Sequence, residues 1–165
     1  MANTNTNIVD LTQDDEDNSF KITVKVAGVP QALPRSRFHR KGFYNPKTSE
    51  MAAFRKEVRR QVPSCQHGLV FKEDAMVAVT IRCCLKRPNT DFKGGIRAEN
   101  NLKSNIPKAV PIRPDIDNLA KFVLDAFNGL IYKDDCQVVS LKVVKIRDNE
   151  GECNGSTEVT IESYH

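Results

Sequence analysis

Residues 113–137, RPDIDNLAKFVLDAFNGLIYKDDCQ, hold Asp115, Asp117, Asp134 and Asp135 in a chain that otherwise leans basic. Carboxylates at such spacing can do two things. They can cap a helix and decorate a turn, or they can hold a cation. Pro114 disfavours helical geometry at Arg113 and leads the chain into a helix, so Asp115 or Asp117 is a good N-cap. One cap needs only one oxygen, however, and two aspartates at i and i+2 of an extended entry point to the same side. Lys121 lies one turn after Asp117, within reach on the helix surface. Asp125 continues that stripe and reads as ordinary surface. Asp134-Asp135 stands just before a strand, where aspartate also suits a turn. If the two pairs converge, their charges repel one another, and a divalent cation relieves the repulsion. Oxygen-only ligation fits Mg²⁺, with Mn²⁺ as a substitute. An antiparallel return from the helix would bring the second pair to one helix end, and a crossover to the other. A calcium loop would need an oxygen donor and a glycine where Leu119 and Ala120 stand. An aspartyl-phosphate nucleophile would end an apolar strand, not follow Pro111-Ile-Arg-Pro114.

The elements that must position these groups are legible as periodic segments. Phe20-Lys-Ile22-Thr-Val24-Lys-Val26 alternates as a half-buried strand. Gly28 and Pro30 end it, and residues 30–46 read as a loop. Met51, Phe54, Val58 and Val62 recur at helical spacing up to Pro63. Residues 75–85 form a second strand. Ile116, Leu119, Ala120, Val123, Leu124 and Phe127 make the apolar face of a second helix, stopped by Asn128-Gly129. Residues 137–146 and 157–161 form two more strands. The expected fold class is α/β (α+β), one domain in the order β-α-β-α-β-β. Its mixed four-stranded sheet packs with two helices and ends in a C-terminal hairpin. Residues 86–114 have no period, five prolines and glycines before Pro114, and seven Lys or Arg; they read as a long, basic, mobile loop.

The 165 residues suit one domain with a real core. No apolar run approaches the ~20 residues that span a bilayer. Residues 1–19 form an acidic leader expected to be disordered. Beyond residue 20 the chain carries 25 Lys or Arg against 16 Asp or Glu, a net of +9 that attracts polyanions. Arg35, Arg37, Arg40 and Lys41, interleaved with Phe38, Phe43 and Tyr44, suit phosphate contact and base stacking. Arg55 and Arg59, with Lys56 and Arg60, make a cationic face on the first helix, and Arg113 adjoins the acidic motif. The five cysteines show no CxxC spacing and read as reduced thiols of a cytoplasmic protein. The three histidines are scattered and suggest no zinc site.

The segment RPDIDNLAKFVLDAFNGLIYKDDCQV resembles the signature of the RusA family of Holliday junction resolvases, [R/K]PDxDNLxKxxxDxLNG followed by DDxQV and a strand. Val26 to Pro30 and Pro34 to Arg37 resemble the family's first strand and arginine-bearing loop. The resemblance implies a homodimeric, Mg²⁺-dependent endonuclease that makes paired cuts in four-way DNA junctions during recombination and repair. It would work in the cytoplasm of a bacterial cell, chromosomal or phage-borne. By position, Asp115, Asp117 and Asp135 correspond to the metal-binding carboxylates and Lys121 to the active-site lysine; Asp134 is the weaker member of its pair. A non-catalytic DNA-binding protein, its acidic groups only caps and turns, is the alternative, and a nuclease for other branched DNA another.

Overall fold

The computed structural model describes residues 20–33, 37–39, 42–44, 47–97, 101–107, 109, 111–147 and 154–165, with 37–39 and 42–44 described by their backbone. The alternation that marks the first strand is realised in β1 (Lys21–Ala27), where Ile22 and Val24 are buried and Lys21 is exposed. A short antiparallel hairpin follows, β2 (Arg37–His39) with β3 (Gly42–Tyr44), within the segment expected to be loop. Then come helix α1 (Thr48–Gln61), strand β4 (Val77–Leu85), helix α2 (Ile116–Phe127), strand β5 (Val138–Arg147) and strand β6 (Ser156–Ser163). The main sheet is mixed and four-stranded, in the order β1-β6-β4-β5. Its α+β arrangement matches the expected fold class. The Leader residues 1–19 lie outside the described residues.

The expected C-terminal hairpin is not formed. β6 inserts between β1 and β4 and is antiparallel to both, while β5 pairs in parallel with β4. Each strand's alternation is the same whichever neighbour it takes, so the chain-order pairing was the simplest expectation and the wrong one. The parallel pair makes β4-α2-β5 a crossover, so α2 runs back along the sheet.

One sheet face carries the core. Ile22, Val24, Val79, Ile81, Val159 and Ile161 are buried against Phe54 and Val58 of α1 and Leu119, Phe122 and Phe127 of α2. Phe54 meets Phe122 edge-on at 5.6 Å, which joins the two helices. The two sheet edges differ. At β1 the Gln61 side chain accepts from the Lys25 N–H (3.0 Å) and donates to its C=O (2.8 Å), standing in for a neighbouring strand. At β5 the outer edge has no strand beside it among the described residues.

The described part of segment 86–114 is not without structure. It carries two 3₁₀ turns, Asn89–Asp91 and Lys93–Gly95. Phe92 is fully buried and bridges to Leu102. Arg87, 1% exposed, donates to Asp91 Oδ2 at 3.1 Å, and Arg147 at the end of β5 donates to the same oxygen at 2.8 Å. Of the basic residues that marked the loop, Arg87 is thus spent inside it.

Candidate active site

Asp115 takes the N-cap position of α2, with extended backbone (φ −69°, ψ 144°), yet its side chain makes no capping bond. Asp117 lies in the first turn, and both residues are exposed. The capping role that would have explained Asp115 is therefore left unfilled. The helix N-terminus still favours both negative charges there. Lys121, also exposed, follows one turn on.

The second acidic pair divides its labour. Asp134 caps the 3₁₀ turn Asp135–Gln137: its Oδ1 accepts from the Cys136 N–H at 3.0 Å. That backbone bond, first among its contacts, holds the Asp134 carboxyl below the usual range. Asp135 is exposed and caps nothing. Gln137 completes the capping box from the other side, and is buried. Its Oε1 accepts from the Lys133 N–H at 2.8 Å, and its Nε2 donates to the carbonyls of Lys72 and Ala75 at 2.7 and 2.9 Å. Gln137 is the positioning residue that sequence reasoning missed, although Asp134-x-x-Gln137 has capping-box spacing. Gln137→Ala removes a buried side chain and strips partners from the part-buried Lys72 and Ala75 carbonyls and the Lys133 N–H. It should cost about 2–4 kcal/mol of stability, read as a lower urea midpoint at unchanged slope; a wild-type midpoint would show that the turn holds without it.

The crossover decides where the pairs lie. The Lys145 ammonium, near the C-terminal end of β5, donates to the Pro114 carbonyl at 2.8 Å, which places the start of α2 at that end. Asp135 precedes β5 and lies at the other end, beside the last turns of α2. There its charge acts on Asp125 and Tyr132. Burial lifts the Asp125 carboxyl above its usual range; Lys121 pulls it back and Asp135 pushes it further up. Asp125 is half-buried, not the plain surface position expected. Asp117 and Asp125 are eight residues apart, about 12 Å along the axis. Within one chain, then, Asp115 and Asp117 occupy one end of α2 and Asp135 the other. Among the described residues no three His, Cys, Asp or Glu side chains are gathered closely enough to hold a metal ion.

The sequence matches the family described as RusA endodeoxyribonuclease over residues 27–162. The chain belongs to the RusA family. A curated relative, the uncharacterized protein YqaN of Bacillus subtilis (strain 168), is 37% identical over 81 residues, 39% of this chain and 57% of YqaN. The chain thus matches little more than half the length of that relative. No helix among the described residues is long and apolar enough to cross a membrane.

In this member of the family the candidate DNA-binding groups fare differently. Arg35, Arg40 and Lys41, and the Arg37 side chain, lie outside the described residues. Leu33, the last described residue before their segment, lies beside the acidic motif, since its N–H donates to the Asn118 carbonyl at 2.9 Å. At the far end of that segment Lys47 donates to Gln31 Oε1 (3.1 Å) and Glu50 Oε1 (2.8 Å), stitching the two ends together. The Lys47 bond, foremost, holds the Glu50 carboxyl down at about 2 against an ordinary 4.5. A depressed carboxylate contributes its stability above the unfolded value and loses it as pH falls through the folded one. The stitch should therefore survive from neutrality to about pH 4.5 and be lost as pH falls toward about 2, a shift read from the Glu50 carboxyl resonance. An ordinary midpoint near 4.5 would deny the stitch. On α1, Arg55 donates to the Asn128 carbonyl at 3.1 Å and Arg60 pairs with Glu57, so Lys56 and Arg59 are the exposed cations left. Arg113 is exposed next to Asp115.

Proposed function

We propose that this protein is a homodimeric, divalent-cation-dependent endonuclease that resolves four-way DNA junctions by paired phosphodiester hydrolysis in the cytoplasm. The observation that carries the proposal is a set of exposed carboxylates that the fold does not use. Asp115 occupies a cap position without capping, and Asp135 follows a capping Asp134 without sharing its bond. A binding protein whose acidic groups were only caps and turns would have spent them. Membership of an endodeoxyribonuclease family supports the same reading.

The donor chemistry fits Mg²⁺ or Mn²⁺, since all three groups are hard oxygen ligands. Asp115 and Asp117 would hold the ion, with Asp135 completing the set. Bound there, the cation would supply positive charge against the phosphate and help lower the pKa of the attacking water. Because Asp135 lies at the far end of α2 in its own chain, the reading requires it to come from a second copy. Lys121, exposed one turn after Asp117, would contact the scissile phosphate. Arg113 would grip DNA next to the carboxylates, with Arg35, Arg37, Arg40, Lys41, Lys56 and Arg59 as further phosphate contacts. A four-way junction is two-fold symmetric, and a symmetric dimer presents two sites to it.

The test is Asp117→Asn on a synthetic immobile four-way junction with Mg²⁺. Junction binding should persist while cleavage falls by at least ~10³-fold, about 4 kcal/mol of barrier. Normal cutting by the variant overturns the cation-site assignment. Wild-type binding without any cutting, across divalent ions, would favour the non-catalytic reading, and preferential cutting of flaps would favour other branched DNA.

A further inference from the structure

We propose that the turn Lys93–Gly95, with Ile96 at its end, is a wedge that enters the branch point of the DNA junction: Ile96 packs against base faces parted there, and Lys93 takes the adjoining backbone phosphate. This deepens the junction-endonuclease reading above and rests on it for the substrate. Three observations carry it.

The first is an apolar side chain held out of the fold. Ile96 is 67% exposed, more than any other large apolar side chain described. Single exposed isoleucines are common on protein surfaces, but here the backbone is fixed from both sides. The Ile96 N–H donates to the Lys93 carbonyl at 3.4 Å, and its carbonyl accepts from Asn101 Nδ2 at 2.5 Å. Asn101 also binds Lys93, whose carbonyl accepts from Asn101 Nδ2 and whose N–H donates to the Asn101 carbonyl, both at 2.9 Å. Gly94 and Gly95 both take positive φ, 63° and 71°, which lets the chain reverse tightly ahead of Ile96. Just before the turn, Phe92 is fully buried and anchors it. A rigid mount matters, because a side chain that yields parts no bases, and its ordering cost is met before DNA arrives.

The second is place. Lys145 and Arg147 stand two apart on β5, so they share a face, with Cα atoms about 7 Å apart. Lys145 holds the Pro114 carbonyl, immediately before Asp115, and Arg147 holds Asp91, two residues before Lys93. The acidic motif and the root of the turn thus hang from neighbouring points of one strand. Ile96 is five residues beyond Asp91, roughly 10 Å at the rise of 3₁₀ turns. Base pairs stack at about 3.4 Å, so the turn meets DNA within a handful of pairs of the phosphate to be cut.

The third is charge. Lys86 and Lys93 are exposed, and the only carboxylate between residues 86 and 96 is Asp91, which is buried and spent on Arg87 and Arg147. An apolar tip flanked by cations is the composition that parts base steps while gripping the backbone. At a branch point the flanking base pairs lack a continuous stack, so opening them costs least there.

The experiment reads base stacking with the divalent ion chelated, so that no strand is cut. One synthetic four-way junction carries 2-aminopurine, which brightens on unstacking, at the branch point, and another carries it in the middle of an arm. Saturating wild-type protein should raise the branch-point signal about threefold or more and leave the arm signal unchanged. Ile96→Ser should melt as wild type does, because the side chain is exposed. It should bind the junction with affinity within about threefold of wild type and lose the rise, and Ile96→Leu should restore it. Lys93→Ala should lower the slope of log affinity against log salt by about 1, and an unchanged slope removes the lysine from the contact. A full rise with Ile96→Ser, or a saturated wild-type complex with no rise at the branch point, overturns the wedge. The nuclease reading fails separately, when wild-type protein that produces the rise cuts no junction once Mg²⁺ is supplied.

Discussion

Mixing Asp117→Asn protein with Asp135→Asn protein should restore DNA cleavage that neither variant supports alone. Each homodimer of either variant has two damaged sites. In a mixed dimer, one site collects both substitutions and the other collects none, because Asp115 and Asp117 come from one copy and Asp135 from the other. After subunit exchange of an equal mixture, roughly a quarter of all sites should be intact. The restored activity should appear as single nicks, since no dimer holds two working sites and paired incision needs both. If the three carboxylates act within one chain, every mixed dimer carries two damaged sites and the mixture stays as inactive as its parts. The expectation follows from placement: Asp135 acts on Asp125 at one end of α2, whereas Pro114 and Asp115 are held at the other by Lys145.

Asp91→Ala should destabilise the fold by about 3–5 kcal/mol, the largest stability effect expected of a single polar substitution here. Asp91 Oδ2 receives both Arg87 and Arg147, and Arg87 is 1% exposed. Removing the shared carboxylate leaves two guanidinium groups side by side at low exposure, with Coulomb repulsion where there was attraction. The loss should appear as a fall in melting temperature, larger than for an exposed pair such as Arg60 with Glu57, which solvent screens. It should also raise amide exchange over residues 86–97, because the same carboxylate ties that segment to the end of β5. An Asp91→Ala melting temperature within a degree or two of wild type would show that the cluster contributes nothing net, as buried ion pairs sometimes do.

These placements mark where reading from sequence succeeds and where it stops. The start of α2 was legible because its signals are local: Pro114, then aspartates at cap spacing, then an apolar face at helical period. Gln137 was legible in principle through its spacing from Asp134, but its second role, holding the carbonyls of Lys72 and Ala75, joins segments more than sixty residues apart. The hairpin of β2 and β3 escaped notice because three-residue strands give alternation too little length to register. Segment 86–114 lacks any period, since its order comes from one buried aromatic ring and an ion cluster. Arg55 and Arg60 looked like a DNA-facing stripe on α1. Charge at helical spacing does not reveal that one caps the neighbouring helix and the other meets Glu57.

By itself, the sequence determined the helices, the four long strands and the family signature, because each is written in neighbours along the chain. Only the tertiary structure decided that β6 enters between β1 and β4, that β5 runs parallel to β4, and that Asp135 therefore lies at the opposite end of α2 from Asp115 and Asp117. The reason is physical. A strand's period is indifferent to which strand it pairs with, and the helix end that an acidic turn meets depends on whether the connection returns or crosses over. That choice is settled by packing across the whole sheet.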